Sequence, residues 1–407
     1  MSASENPIVL AFSGGLDTSF CVPWLKETYG RPVVTATVNT GGLDAAASAA
    51  LAEKATALGA AEHVVIDARD EFFDAVLKYL IFGNVRRGHL YPLCVGAERG
   101  VQARHLATAA GRFGSATVAH GCTAAGNDQV RFEIVLKALA PELEVLAPVR
   151  DHAFAREMQL RYLRERSMPL PVKGSAYSIN RGLWGVTIGG TETLDSRTSI
   201  PESAWVLSAG ALESGRAPET IRISFEEGVP VTLDGEALAP VVLIERLESA
   251  GAAFAIGRGI HLGDTILGTK GRVAFEAPAA ALLIDAHREL EKLTLGALQA
   301  RFKDQLAQGY GDLIHEGRQL DPVCADIEAF LASSQRRVTG TVTLELRPGR
   351  AFVTGVESPF SLMAASRGRY GESAGEWSST DAVGFSRILA LPGMLHARAG
   401  RAAAEES

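Results

Sequence analysis

The residues best suited to chemistry in this sequence fall in two short runs. The first is Ser13-Gly14-Gly15-Leu16-Asp17-Thr18-Ser19, directly after the apolar stretch Ile8-Val9-Leu10-Ala11-Phe12. Two glycines let a backbone approach a ligand without Cβ interference. Thr18 and Ser19 add hydroxyls, and a helix starting there presents free N–H groups and the positive end of its dipole. Together these make an anion site. The run lacks the lysine of GxxxxGK[ST] and is not GxGxxG, which argues against a P-loop and against a dinucleotide. The plainer alternative is a Gly-Gly turn whose Asp17, Thr18 and Ser19 merely cap a helix.

The second run is His120-Gly121-Cys122-Thr123-Ala124-Ala125-Gly126-Asn127-Asp128-Gln129-Val130-Arg131-Phe132. Its glycines again bring backbone close to a ligand, and Thr123, Asn127 and Asp128 form a mixed donor–acceptor set. Asn127 and Arg131 are four apart and share one helical face. Arg131 suits a carboxylate bidentately and Asp128 an ammonium. An amino acid carries both groups. The plainer alternative makes Asn127 a helix cap and Arg131 a surface charge.

Both runs need elements to hold them. Apolar segments at 8–12, 33–38, 64–66, 116–119 and 143–149 alternate with helical stretches at 16–27, 44–58, 71–80, 100–113, 127–139 and 152–166. Such alternation predicts a parallel sheet covered on both faces, with ligands beyond the carboxyl ends of its strands. Met168-Pro169-Leu170-Pro171 marks a boundary. Beyond it, antiparallel strands at 221–225, 229–233, 338–346 and 350–356 mix with helices at 240–252, 280–292, 295–308 and 325–333, an α+β pattern. The expected division is 1–168, 169–365 and 366–407. The last eleven residues are expected to fray, with only a short apolar run, 388–395, ahead of them.

At 407 residues the chain can form two domains. It is 47% hydrophobic with a formal net charge of −7, and shows no basic stripe of the kind nucleic acid requires. Arg86-Arg87 and Arg336-Arg337 read as solvated surface. Four cysteines without CxxC, nine scattered histidines without HExxH, and no ~20-residue apolar stretch predict reduced thiols, no structural metal and no membrane span. The polar start, 1–7, is not a signal peptide. A cytoplasmic location follows as the expectation.

The string SGGLDTS resembles the signature of N-type ATP pyrophosphatases, which release pyrophosphate and leave AMP. Its pairing with HGCT…GNDQVRF resembles the argininosuccinate synthase family more closely. Collinear matches continue at Tyr177-Ser178-Ile179-Asn180, Ile256-Gly257-Arg258, Gly268-Thr269-Lys270-Gly271-Arg272, Glu276-Ala277-Pro278, Glu357-Ser358-Pro359 and 380–385. The resemblance implies an adenine nucleotide alpha hydrolase-like domain followed by an α+β synthetase domain. It also implies ligation of aspartate to citrulline through a citrullyl-adenylate, with ATP carried as its magnesium complex and a homotetrameric assembly. By the same resemblance, Ala11, Phe12, Ser13, Gly14, Gly15, Leu16, Asp17, Thr18, Ser19 and Gly121 would hold ATP. Thr123, Asn127 and Asp128 would hold aspartate. Tyr91, Asn127, Arg131, Ser178 and Thr187 would line the citrulline site. Asp17, Asp128 and Arg131 are the candidates for catalysis, Asp17 as a magnesium or orientation partner.

The sequence departs from the family pattern mostly at citrulline. Gly263 stands where the family has a glutamate that meets the citrulline amine, Phe275 stands for a tyrosine, and Gly96 and Thr187 stand for serines. Ala125 replaces a lysine. An acceptor with an acylated α-amine is therefore a second expectation, unless Asp264 or Glu276 takes over the lost role. A tRNA-thiolating pyrophosphatase would need paired cysteines and a basic surface. A nucleotide sensor that binds ATP without turnover is the non-enzymatic alternative.

Overall fold

Alternate residues of the first strand enter different cores. Ile8 and Leu10 pack with Phe20, Leu25 and Leu163, whereas Val9 packs with Val34, Val118, Leu106 and Leu136. A strand buried on both faces reads as a continuous apolar run, which is why it was legible. In the computed structural model, which describes residues 6–170, 177–372 and 375–405, this strand, β1 (Ile8–Ala11), sits mid-sheet. With β2 (Val33–Asn39), β3 (Glu62–Asp67), β4 (Thr117–Ala119) and β5 (Glu144–Leu146) it makes a parallel sheet of order β3-β2-β1-β4-β5. The order reverses between β1 and β4, so a crevice opens beyond their carboxyl ends. Both chemical runs leave the sheet there.

Two expected elements change. The strand expected at 143–149 stops at Leu146, because Pro148 starts a turn of helix, Pro148–Asp151. The helix expected from 152 begins at Arg156, since Ala153 adopts φ 49° and reverses the chain first. Pro171 of the boundary motif lies outside the described residues, as do residues 1–5, 406 and 407.

Beyond the boundary lie β6 (Ser178–Gly182), β7 (Gly185–Gly189), β8 (Glu219–Glu226), β9 (Val229–Leu233), β10 (Glu236–Ala237), β11 (Arg258–Asp264), β12 (Lys270–Glu276), β13 (Gly340–Arg347) and β14 (Arg350–Glu357). They form two sheets, β10-β9-β8-β13-β14 and β11-β12-β7-β6. The helices Pro240–Ala252, Pro278–Thr294 and Pro322–Ser334 each carry proline at their first turn, where its missing N–H costs nothing. The helix expected at 295–308 extends over Ala297–Glu316.

The β11-β12-β7-β6 sheet was not anticipated, and it has two unlike faces. Val186, Ile188, Ile260 and Ala274 pack with Ile200 and Ala204 on one side. Asn180 pairs with Thr187 and Thr187 with Phe275, while His261 and Gly263 oppose Val273 and Gly271 on the other face. That second face carries the site.

One compact unit spans 1–359 and another 360–407. The second contains the helix Ser379–Glu405, so residues 397–405 are helical rather than frayed. Its Phe385, Ile388, Leu389 and Leu395 are 60–68% exposed. No described helix is long and apolar enough to cross a membrane.

Candidate active site

The loop after β1 has little freedom. Gly14 adopts φ 72°, and a Cβ there would lie 2.3 Å from Leu51 Cδ2 on the helix Ala45–Ala57. Lys54 of the same helix donates to the Gly14 carbonyl, and burial lowers its pKa. Gly15 is the N-cap of the helix Leu16–Tyr29, and no side chain caps it. Its first N–H groups therefore remain available to an anion. This displaces the plain capping alternative for Asp17, Thr18 and Ser19. Thr18 Oγ1 donates to the Gly15 carbonyl at 3.4 Å and meets Ser13 Oγ at 3.2 Å. Ser19 is fully buried and donates to the Gly14 carbonyl. It locks the loop from behind rather than lining the cleft, and Leu16 likewise belongs to the core.

Two clefts meet beside this loop. The first is lined by Ala11, Phe12, Ser13, Gly15, Asp17 and Thr18, by Gly121 and Cys122 after β4, and by Thr37 to Leu43 from the end of β2. Gly121 abuts Thr18, where a Cβ would come within 3.1 Å of the Thr18 backbone nitrogen. The second holds Tyr91, Gly96, Thr123, Ala125, Asn127, Asp128, Arg131, Ser178 and Thr187, together with Arg87, His261, Gly263, Asp264 and His315. Asp17, Gly121, Cys122, Asp128 and Asn180 border both. The structure thus gathers nearly all the expected residues, Gly14, Leu16 and Ser19 serving as support.

Asp128 is clamped by Arg131 Nη1 at 2.6 Å and Arg99 Nε at 3.0 Å. Desolvation works against its charge, but the two guanidiniums outweigh it and hold the carboxyl at about 2. Arg131 is 6% exposed, not a surface charge. Its Nε donates to the His315 carbonyl at 2.7 Å and its Nη2 to His315 Nδ1 at 3.3 Å, so its fork is already engaged rather than free for a substrate carboxylate. Arg99 also binds Glu98 Oε1 and Gln102 Oε1, each at 2.8 Å. Burial lifts Glu98 to about 7. Asn127 takes the N-cap position of the helix Asp128–Leu139, yet its Oδ1 accepts from the Ile266 N–H at 2.9 Å and ties that helix to the β11–β12 loop.

Sequence reading missed Arg87, Glu98, Arg99, His261 and His315. Arg86 and Arg87 are not loose surface charges: they pair with Asp285 and Asp312, and Arg87 borders the second cleft. Glu98 and Arg99 lie between Gly96 and Gly100, a signal that could have drawn attention to them, but they start a helix rather than follow an apolar strand. The alternation in Arg258–Asp264 could have placed His261 and Gly263 on one face, but its glycines hid the strand.

Of the groups that could replace a carboxylate at Gly263, Glu276 is fully buried and accepts from the Val206 and Leu207 N–H groups and the Ser208 hydroxyl. Asp264 borders the cleft with its carboxylate on Lys270. Phe275 packs its ring 5.2 Å from that of Tyr91. The Tyr91 hydroxyl donates to the Cys94 carbonyl, and burial raises its pKa well above the ordinary value. Among the described residues no group of three or more His, Cys, Asp or Glu is placed to hold a metal.

A parallel sheet with its order reversed at β1 and β4, and an anion-accepting loop in the crevice, defines a nucleotide-binding α/β protein. The profile of the "Arginosuccinate synthase N-terminal HUP domain" matches residues 7–169, and that of the "Arginosuccinate synthase C-terminal domain" matches 177–396. An argininosuccinate synthase from Xanthomonas campestris is 39% identical over 98% of this chain and 100% of its own. One from Methanocaldococcus jannaschii is 36% identical over 96% and 98%. The chain belongs to the argininosuccinate synthase family. Among solved structures, a predicted subunit of a tRNA methyltransferase from M. jannaschii covers 40% of the chain and 88% of its own at 18% identity, with a TM-score of 0.27, too remote to bear on function.

Proposed function

We propose that this chain joins aspartate to citrulline with cleavage of ATP, giving argininosuccinate, AMP and pyrophosphate, a step of arginine biosynthesis. The observation that carries this is the meeting of the two clefts at Asp17, Gly121 and Asp128. MgATP would lie along Ala11 to Thr18 with its phosphates at the uncapped helix start, and Asp17 would orient the magnesium complex. The citrulline ureido oxygen attacks the α-phosphorus and pyrophosphate leaves. The aspartate amine then attacks the ureido carbon, loses a proton and displaces AMP. Thr123, Asn127 and Asp128 would position aspartate, and Tyr91, Asn127, Ser178 and Thr187 the acceptor, with Arg131 acting through Asp128 and His315 rather than on a substrate carboxylate. Catalysis of this kind needs positioning and charge stabilisation more than a protein nucleophile.

In this reading residues 1–168 bind nucleotide, 169–365 complete the catalytic cleft, and 366–407 join copies into a cytoplasmic homotetramer. The exposed apolar side chains of Ser379–Glu405 support the last point. The test is release of AMP and pyrophosphate dependent on both aspartate and citrulline. ATP binding without that release would instead fit a sensor. A second reading, an Nα-acylated citrulline, is favoured by the absence of a free carboxylate around Gly263 among the described residues.

A further inference from the structure

We infer that His261 and His315, with Arg87, form a hydrogen-bond-donor wall at the acceptor end of the second cleft. This wall binds a carboxylate or acyl-carbonyl oxygen of the ureido substrate and so determines which acceptor is used. The inference rests on the ligase reading above. Both imidazoles border the cleft and are more than nine-tenths buried, at 9% and 7% exposure. In each, Nε2 is buried without a hydrogen-bond partner. Buried polar atoms are normally satisfied, so two orphans in one cleft point to a ligand that meets them.

The chemistry of that ligand follows from the ring partners. His315 Nδ1 lies 3.3 Å from Arg131 Nη2. A guanidinium only donates, so Nδ1 accepts and the neutral ring carries its proton on Nε2. Burial, then the nearby Arg131, keeps this ring neutral, with a pKa of about 3. His261 stacks on Tyr91, ring centres 5.3 Å apart at 16°. Burial and Arg87 favour its neutral form too. A Cβ on residue 263 would stand 2.5 Å from His261 Nε2 and 3.3 Å from Arg87 Nη1. Glycine at 263 and histidine at 261 therefore belong together: the His261 ring, with Arg87 beside it, takes the space that a side chain at 263 would enter.

The acidic groups nearby are already committed. Asp264 pairs with Lys270, Asp312 with Arg87, and Asp128 with two arginines. An ammonium entering here finds a guanidinium and no uncommitted carboxylate beside it, whereas an sp2 oxygen finds the His315 Nε2–H, the Arg87 guanidinium and the His261 ring, whose proton can sit on Nε2. That oxygen can be the acceptor's own α-carboxylate or the carbonyl of an acyl group on its α-nitrogen.

Steady-state release of AMP and pyrophosphate by the full chain decides the matter, with citrulline, Nα-acetylcitrulline and citrulline amide as acceptors. His261→Leu is expected to raise the KM of the preferred acceptor about tenfold, while the KM values for ATP and aspartate stay within roughly twofold and His261→Gln recovers most of the loss. If the carboxylate is bound, citrulline amide is disfavoured by the intact chain and indifferent to His261→Leu. If an acyl carbonyl is bound, Nα-acetylcitrulline is preferred over citrulline by about tenfold and His261→Leu erases the preference. A variant whose KM is unchanged for all three acceptors overturns the inference alone. So does one that raises the KM values for ATP and aspartate equally, the mark of a structural role. No product with any acceptor overturns the ligase reading, and this inference with it.

Discussion

Asp128 has the most consequential surroundings of any residue in the site. It bridges two guanidiniums that reach it from different helices, Arg99–Arg112 and Asp128–Leu139, with Glu98 as a further partner of Arg99. Asp128→Asn keeps the shape but leaves Arg99 and Arg131 repelling one another, so kcat/KM for aspartate should fall by about a hundredfold or more. A loss smaller than threefold in initial-rate assays would remove Asp128 from the mechanism. Gly14 offers a second test. With φ at 72° and Leu51 against its α-carbon, Gly14→Ala should destabilise the loop by about 1–3 kcal/mol. Thermal melts would register the loss, and ATP should protect the variant less than the parent chain. These residues were legible because a glycine pair or a polar run after an apolar strand is a local signal. The engagement of Arg131 was not, since its partner, residue 315, lies 184 positions away.

At the scale of elements, the parallel sheet could be read directly. Its inner strands β1, β2 and β4 are buried on both faces, and each strand is followed by a helix. The β11-β12-β7-β6 sheet could not, because Gly182, Gly185, Gly189, Gly259, Gly263 and Gly271 interrupt its alternation and weaken strand propensity. The C-terminal helix was hidden by Gly384, Gly393, Gly400 and Pro392, all poor helix formers. Helix-to-helix joints were equally invisible. Lys303, 1% exposed, donates to the Phe82 carbonyl at 2.9 Å and pairs with Glu291 at 3.0 Å. Asn84, His287 and Gln335 complete this buried network. Glu291→Ala would leave the buried ammonium with only the half-exposed Asp304 carboxylate at 3.4 Å as counter-charge, and the expected cost is about 2–4 kcal/mol. Chemical denaturation should show it; an unchanged midpoint would mean that water reaches Lys303.

At the scale of the molecule, buried titrating groups set a pH dependence. His120, desolvated and near Arg150, titrates at about 4, and His315 at about 3, against about 6.5 for a free imidazole. As pH falls from about 6.5 to 4.5 the unfolded chain takes protons that the folded one refuses, so stability drops. Glu98 opposes this. Held at about 7 by burial, it keeps a proton in the folded state across the same window and favours that state as pH falls. Burial also lowers His63, His261 and His287 and raises Glu248 and Glu328, so the imidazoles still outnumber the carboxyls; melting temperature should decline from pH 6.5 to 4.5, and His120→Phe should flatten the slope. Removing residues 360–407 should lower the number of copies per particle in light scattering if the C-terminal helix joins copies; an unchanged copy number would discard that role. The contact between Arg131 and residue 315 has a consequence for biosynthesis of the chain itself. Both loops of the nucleotide crevice are made within the first 132 residues, but the acceptor wall waits for the helix Ala297–Glu316. On the ribosome, both crevice loops emerge first, then Ile179 to Arg181, which complete the crevice's lining, and last the residue that finishes the acceptor wall.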